Sequence, residues 1–247
     1  MKHYMKTKFA VGCLVQWYEI EIIEEYLESL TDAIDHAENL DIIIDLTFIT
    51  NQDLEEIGDA NMIDIIARWR GIISTLNDKG YKVRDRFEYR LHTIADYRRL
   101  FNTNYCDQVD VLIWGESDAI LPKQMFVVLD NLHRQSLQNN NPKYLAFFGT
   151  CKMWDNSWKP LEHPDFTDKP FYDKPEQFKP DHWWSLRYTM SKEEMNKIND
   201  KTDELDVQIL SPHKFNGCGL VISSEVIKAG VNIPKSVFFV HEDSAFM

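Results

Sequence analysis

Cysteine is sparse and never clustered. The four cysteines (Cys13, Cys106, Cys151, Cys218) lie far apart, with no C-x-x-C pair, which argues against a zinc knuckle or a disulfide scaffold and fits a reduced compartment. Long hydrophobic runs are also missing, since none approaches the ~20 apolar residues that span a bilayer. The basic start, Met1 to Lys8, and the apolar stretch Phe9 to Val15 have the outline of a signal peptide. However, Gln16, Glu19, Glu21, Glu24 and Glu25 follow at once, and no small-residue cleavage site appears. The expectation is a soluble, cytoplasmic protein without a transmembrane segment. Positive charge is scarce: 27 Lys and Arg stand against 40 Asp and Glu, a formal net charge of -13. That disfavours a broad grip on a nucleic-acid backbone, while an anionic small molecule can still bind if a metal ion or local cations neutralise it. No G-x-G-x-x-G, G-x-x-x-x-G-K, H-E-x-x-H or G-x-S-x-G segment occurs, so dehydrogenase, P-loop, zincin and serine-hydrolase readings lack their motifs.

What is present suits one large α/β domain: 247 residues, of which 44% are hydrophobic. Phe9 to Trp17 reads as a short buried strand, followed by a helical pattern with Ile20, Ile23, Leu27 and Leu30 at three- and four-residue spacing. Leu40 to Ile49 is a nearly all-apolar strand, as expected of a central parallel strand. Asn61 to Leu76 reads as a helix with Ile63, Ile66 and Ile73 inward, Tyr81 to Leu91 as extended chain, and Ile94 to Phe101 as a short helix. Val109 to Trp114 is another buried strand, Pro122 is placed in the first turn of a helix, and Lys143 to Thr150 is a further strand. From Cys151 to about residue 190 prolines and aromatic residues crowd with little periodicity, an ordered insertion rather than a linker. Ser191 to Leu205 resumes as a helix with a capping-box start. Gly219 to Ile222 and Ser236 to Val240 are predicted strands. Alternating strands and helices imply a mainly parallel sheet with crossover helices. Ligands of such sheets bind beyond the carboxyl ends of the strands. That rule selects Gln16 to Glu19, Asp45 to Thr50 and Gly115 to Asp118.

Glu116 and Asp118 follow a buried strand and stand two residues apart, so in extended chain they project to one side. Two carboxylates so placed repel unless a cation compensates, and hard ions such as Mg²⁺ and Mn²⁺ prefer such oxygen ligands. An arbitrary E-x-D is more often a solvated acidic loop; the position after a strand favours the metal. His241-Glu242-Asp243 also follows an apolar run. A carboxylate there can take a proton from an attacking hydroxyl, and His241 can ligate the same metal, although such a cluster by itself also reads as ordinary surface.

These residues resemble family 2 glycosyltransferases and their relatives with the GT-A fold. Val15-Gln16-Trp17-Tyr18-Glu19, continued by Glu24-Glu25-Tyr26-Leu27-Glu28-Ser29-Leu30, is similar to the family's V-P-x-Y-N-E opening and the helix after it. Ile113 to Pro122 (IWGESDAILP) looks like the D-x-D segment, with Glu116 in place of the first aspartate. Asn216 to Asp243 is similar to the acceptor region, which ends in an E-D pair. The resemblance implies a GT-A, Rossmann-like domain over 1–247. Its nucleotide-sugar-binding half would be 1–122 and its acceptor-binding half 123–247, with the insertion at about 151–190. It implies a nucleotide-diphosphate sugar donor, a UDP-sugar first, and an acceptor hydroxyl. Tyr18 would lie against the base and Asp45 would hydrogen-bond it. Glu116, Ser117 and Asp118 would face the diphosphate, with Glu116, Asp118 and His241 around Mn²⁺ or Mg²⁺. Asp243 would be the general base of an inverting transfer, with Glu242 next in line. Arg98-Arg99 stands where relatives carry a basic residue, which suggests Arg99 as a diphosphate contact. Trp183 and Trp184 are the candidates for stacking on an acceptor sugar, although the tryptophans of the insertion also read as its own small core. Two alternatives stay open: a nucleotidyltransferase, which would normally carry a glycine-rich basic loop after the first strand, and a non-catalytic sugar- or nucleotide-binding module.

Overall fold

The computed structural model describes residues 6–50, 62–89, 93–148, 219–237 and 245–246, together with the backbone of Cys151 and Lys152. In chain order these form β1 (Lys8–Gln16), a 3-10 turn (Trp17–Glu19), α1 (Ile23–His36), β2 (Asp41–Ile49), α2 (Met62–Asp78), β3 (Lys82–Glu88) and α3 (Ile94–Tyr105). They continue with β4 (Val111–Trp114), β5 (Ala119–Ile120), α4 (Met125–Gln138), β6 (Leu145–Phe147), β7 (Cys151–Lys152), β8 (Leu220–Ser223) and the short α5 (Ser224–Lys228).

Period-two alternation along β1 splits the core. Phe9, Val11, Cys13 and Val15 join one buried cluster with residues of α1, α2 and α4, while Ala10 and Leu14 join another with α3 and α5. A strand covered on both faces has to be apolar on both, which is why β1 and β2 read as near-continuous hydrophobic runs. Phe48 stacks on Trp69 of α2 at 4.7 Å, and Phe9 meets Phe126 of α4 edge-on at 5.4 Å. Each such fully buried side chain contributes roughly 1.5–3 kcal/mol of burial free energy.

The main sheet has the order β3-β2-β1-β4-β8-β6. β1 to β4 are mutually parallel where they pair. β8 runs antiparallel to β4, and β6 antiparallel to β8. The mixed, mostly parallel sheet flanked by helices agrees with the α/β architecture expected from the sequence. A separate small ladder joins β5 to β7.

Several local expectations are corrected. Ile63, predicted inward, is 79% exposed, whereas Ile73 is buried as predicted, in a stripe with Trp69, Ile72 and Leu76. Pro122 lies ahead of α4 rather than in its first turn, with its carbonyl accepting the Met125 amide. α3 runs one turn beyond the predicted end at Phe101, because Tyr105 continues its apolar stripe. Ser236 and Val237 are not in a strand. The predicted helix 191–205 and residues 238–240 lie outside the described residues, as does the insertion apart from Cys151 and Lys152.

Candidate functional site at the end of β1 and β4

The strand order reverses between β1 and β4, since the chain proceeds from β1 outward to β3 and then returns to the other side of β1. Such a switch point leaves a crevice at the carboxyl ends of the strands. β4 stops opposite Gly12, four residues before β1 ends, so the segment Gly115 to Asp118 leaves the sheet beside Cys13 to Gln16. Gly115 makes this exit possible. Its amide donates to the Gly12 carbonyl at 2.7 Å, and a β-carbon there would stand 2.2 Å from the Tyr26 hydroxyl.

Beyond β1 the 3-10 turn is closed by Glu19, whose carboxylate accepts the Gln16 amide at 2.7 Å. The turn leaves the Tyr18 ring half exposed, with Trp17 packed edge-on against it at 5.7 Å. The Tyr18 phenol is pushed up to about 12, first by loss of solvent and then by the carboxylates of Glu19 and Asp118. The thiol of buried Cys13 is raised well above its ordinary value by burial and then by Glu19, Asp118 and Glu116, with Arg98 opposing them. Three carboxylates and one guanidinium therefore converge electrostatically on the end of β1. Ser117 and Asp118 are buried. Tyr18, Glu116, Ser117 and Asp118, all predicted site residues, come together here.

Of the Arg98-Arg99 pair the sequence reading favoured Arg99 as the diphosphate contact, whereas Arg98 is the cation that the fold brings in. Its side chain is 4% exposed and donates to Glu116 at 3.2 Å, while its guanidinium lies over the Trp114 ring at 4.7 Å. The stripe Tyr97, Arg98, Phe101, Asn102 and Tyr105 faces inward from α3. Its three- and four-residue spacing was visible in the sequence and favours Arg98 over its neighbour.

Two predicted contacts are placed elsewhere. Arg99 donates from Nε to the Ile233 carbonyl at 3.0 Å and from Nη2 to the carbonyls of Pro234 and Val237 at 2.8 and 2.9 Å. Its Nη1 pairs with Asp96 at 2.6 Å. A guanidinium so engaged is not presented to a diphosphate. Asp45 lies in the middle of β2 opposite Gly12 rather than at the strand's end, and it is buried. Its carboxylate accepts from the hydroxyls of Tyr97 at 3.0 Å and Tyr105 at 2.6 Å, and from Arg86 at 3.3 Å. It fastens α3 to the sheet, which is a different task from contacting a base.

His241, Glu242, Asp243, Trp183 and Trp184 lie outside the described residues. The described residues that follow the acidic cluster in the chain are Ala245 and Phe246, the latter buried and packed on Trp114 with ring centroids 5.2 Å apart. Among the described residues no set of three or more His, Cys, Asp or Glu side chains is arranged to hold a metal ion, and no helix is long and apolar enough to cross a membrane.

No family model matches the chain, and no curated protein matches it significantly. Solved structures do. Residues 1–349 of S. aureus TarS superpose with a TM-score of 0.50 at 8% identity, covering 97% of this chain and 54% of that one. The same TarS region in complex with UDP gives 0.51 at 10% identity and the same coverages. This chain thus spans about half the length of the TarS fragment. At such identity the likeness shows the fold, a GT-A-like α/β sheet, and nothing finer.

Proposed function

We propose that the protein transfers a sugar from a nucleotide-diphosphate sugar, in the first instance a UDP-sugar, to an acceptor hydroxyl. The observation that carries this reading is the gathering of Tyr18, Glu116, Ser117 and Asp118 at the switch point of a GT-A-like sheet. The fold alone supports many chemistries; the placement of an E-x-D pair beside an exposed aromatic ring at that crevice narrows them. The UDP held by the structurally similar TarS fragment points the same way.

Tyr18 offers a half-exposed ring for the base, and the Ser117 hydroxyl suits a phosphate or ribose oxygen. Glu116 and Asp118 are hard oxygen donors, and a site with two carboxylates fits Mn²⁺ or Mg²⁺ whose remaining positions are filled by substrate phosphates and water. That ion would supply positive charge against the diphosphate as the glycosidic bond breaks. Arg98 holds Glu116 in place through their ion pair. Asp243 is assigned as general base, taking the proton of the acceptor hydroxyl as it attacks the anomeric carbon from the face opposite the leaving group, which inverts configuration. Glu242 is the second choice for that role, His241 a further metal ligand, and Trp183 and Trp184 the acceptor's stacking partners. Asp243 precedes Phe246 by three residues, so at most about 11 Å of extended chain separates them.

A panel of nucleotide sugars, tested by thermal shift with and without Mn²⁺ and then by product analysis, decides the matter. Release of free nucleoside diphosphate with sugar on an acceptor is expected. Pyrophosphate formation would assign nucleotidyl transfer instead, and binding without turnover of any donor would leave a binding module. Asp243→Asn is expected to keep donor binding and lose transfer; undiminished transfer would remove the base assignment.

A further inference from the structure

We infer that Arg99 is a positioning residue: from α3 it fixes the backbone of residues 232–237, and so the place from which the chain sets out toward Glu242 and Asp243. The inference rests on the reading of Asp243 as general base. Residues 231–237 belong to neither helix nor strand, so their carbonyls have no ladder to satisfy them. Arginine is suited to gathering such groups, because its planar fork presents five donors in fixed directions. Arg99 takes the carbonyls of Ile233, Pro234 and Val237 at 2.8 to 3.0 Å. The guanidinium is itself oriented by Asp96, whose carboxylate accepts from Thr93, the cap of the same helix.

A second latch lies one turn along the helix. Asn102 donates to the Asn232 side chain at 3.0 Å. Asn232 in turn donates to the Arg99 carbonyl at 3.3 Å and to Thr103 at 3.2 Å, and its oxygen also accepts the Ile233 amide at 2.8 Å. Ile233 is buried between the two latches. The same Asn102 accepts the indole N–H of Trp114 at 2.9 Å, and Trp114 carries both Arg98 on its face and Phe246 on its edge. The chain is thus held to the α3–β4 unit at Val237 and again at Phe246, on either side of the acidic cluster. Helix α3 also bears Arg98, which grips Glu116. One rigid element therefore sets the donor-side acid and the segment leading to the acceptor-side acids in a common frame.

The geometry explains why lysine would not substitute. A single ammonium cannot bond three carbonyls and a carboxylate along the fixed directions of the fork. The test uses Arg99→Lys, Asp243→Asn and the double variant, with kcat, donor KM and melting temperature measured on each. Asn232→Ala serves as a milder second probe of the same segment if Arg99→Lys does not fold. Displacing a catalytic group by about 1 Å can cost on the order of 100-fold in rate, so Arg99→Lys is expected to lower kcat by about 10- to 100-fold with donor KM held within about twofold. In the Asp243→Asn background it is expected to add almost nothing, because no base remains to be placed. Losses that multiply in the double variant would show a general structural role and overturn the inference. An unchanged kcat, or a raised donor KM at normal kcat, in Arg99→Lys (or in Asn232→Ala where that variant stands in) would also overturn it, even with Asp243→Asn impaired. Full transfer by Asp243→Asn removes the base assignment and this inference together, an outcome distinguishable from the others by that variant alone.

Discussion

Replacing Asp45 by Asn tests whether a buried carboxylate holds α3 on the sheet. In the native arrangement one oxygen accepts from Tyr97, the other from Tyr105 at 2.6 Å, and Arg86 approaches both at 3.3 Å. Asparagine keeps one acceptor, and Tyr97 also has the Asp45 main-chain carbonyl at 3.1 Å, so Tyr97 loses little. Tyr105 would face an amide N–H₂ where it now meets a charged oxygen. That is the loss of one charge-assisted hydrogen bond, about 1.5–3 kcal/mol. Arg86 is 39% exposed, solvates readily, and adds no more than about 1 kcal/mol after screening. A net destabilisation of about 2–3 kcal/mol is expected. For a chain of this size that corresponds to a drop of roughly 4–12 °C in melting temperature, measurable by calorimetry or circular dichroism. Tyr105→Phe removes the same bond from the other side, so the double variant should fall well short of the sum of the singles. A melting temperature unmoved by Asp45→Asn, or strictly additive losses, would refute the account of Asp45 as a fastening.

Three further outcomes follow from the same geometry. Gly115→Ala places a β-carbon 2.2 Å from the Tyr26 hydroxyl and is expected to cost about 1–3 kcal/mol, with partial recovery in the Gly115→Ala/Tyr26→Phe double variant; equal stability of the two would show that the hydroxyl is not the obstacle. Tyr18 and Tyr81 are raised to about 12, and Tyr97 and Tyr105 are raised as well, in each case first by burial. Unfolded tyrosine ionises near pH 10, so stability from these groups is complete below about pH 10 and declines as pH climbs through their folded values; urea melts that stay constant from about pH 9 to 11.5 would contradict this. Asp118→Asn should abolish the gain in UDP affinity that Mn²⁺ confers, a comparison made by calorimetric titration; an undiminished gain would exclude Asp118 as a metal ligand.

The sheet was legible because its physics is local. Runs such as Ile42 to Ile44 and Val111 to Trp114 need two covered faces wherever they occur, and the glycine and acids after them mark the exit from a strand. That the E-x-D segment and Tyr18 stand just beyond strand ends was legible for the same reason. The fates of Arg99 and Asp45 were not, because both depend on partners far along the chain: Ile233 to Val237 for the one, Tyr97 and Tyr105 for the other. A charged residue near a strand end reads identically whether it meets a ligand or a distant carbonyl. Arg98 could have been preferred to Arg99 from the helical stripe, since Tyr97, Phe101 and Tyr105 define the inward face and Arg98 lies beside Tyr97 on it. Ile63 misled for the opposite reason, being apolar at a helix start where the stripe has not yet turned inward.

The balance of charge bears on how the proposed donor is received. Glu19, Glu116 and Asp118 all raise the Cys13 thiol, and Arg98 opposes them. A pair of like charges about 4 Å apart at an effective dielectric of 20 repels by about 4 kcal/mol, so a diphosphate entering beside such carboxylates meets opposition that one arginine already engaged with Glu116 cannot offset. Under the proposed reading, donor affinity therefore depends on positive charge arriving with the donor, and a divalent ion shared between Asp118, Glu116 and the phosphates meets that need with ligands of the right hardness. Under that same proposal two carboxylates would suffice. Fewer protein ligands leave coordination positions for the phosphates, so ion and donor each strengthen the other's binding, a coupling that must be equal in both directions.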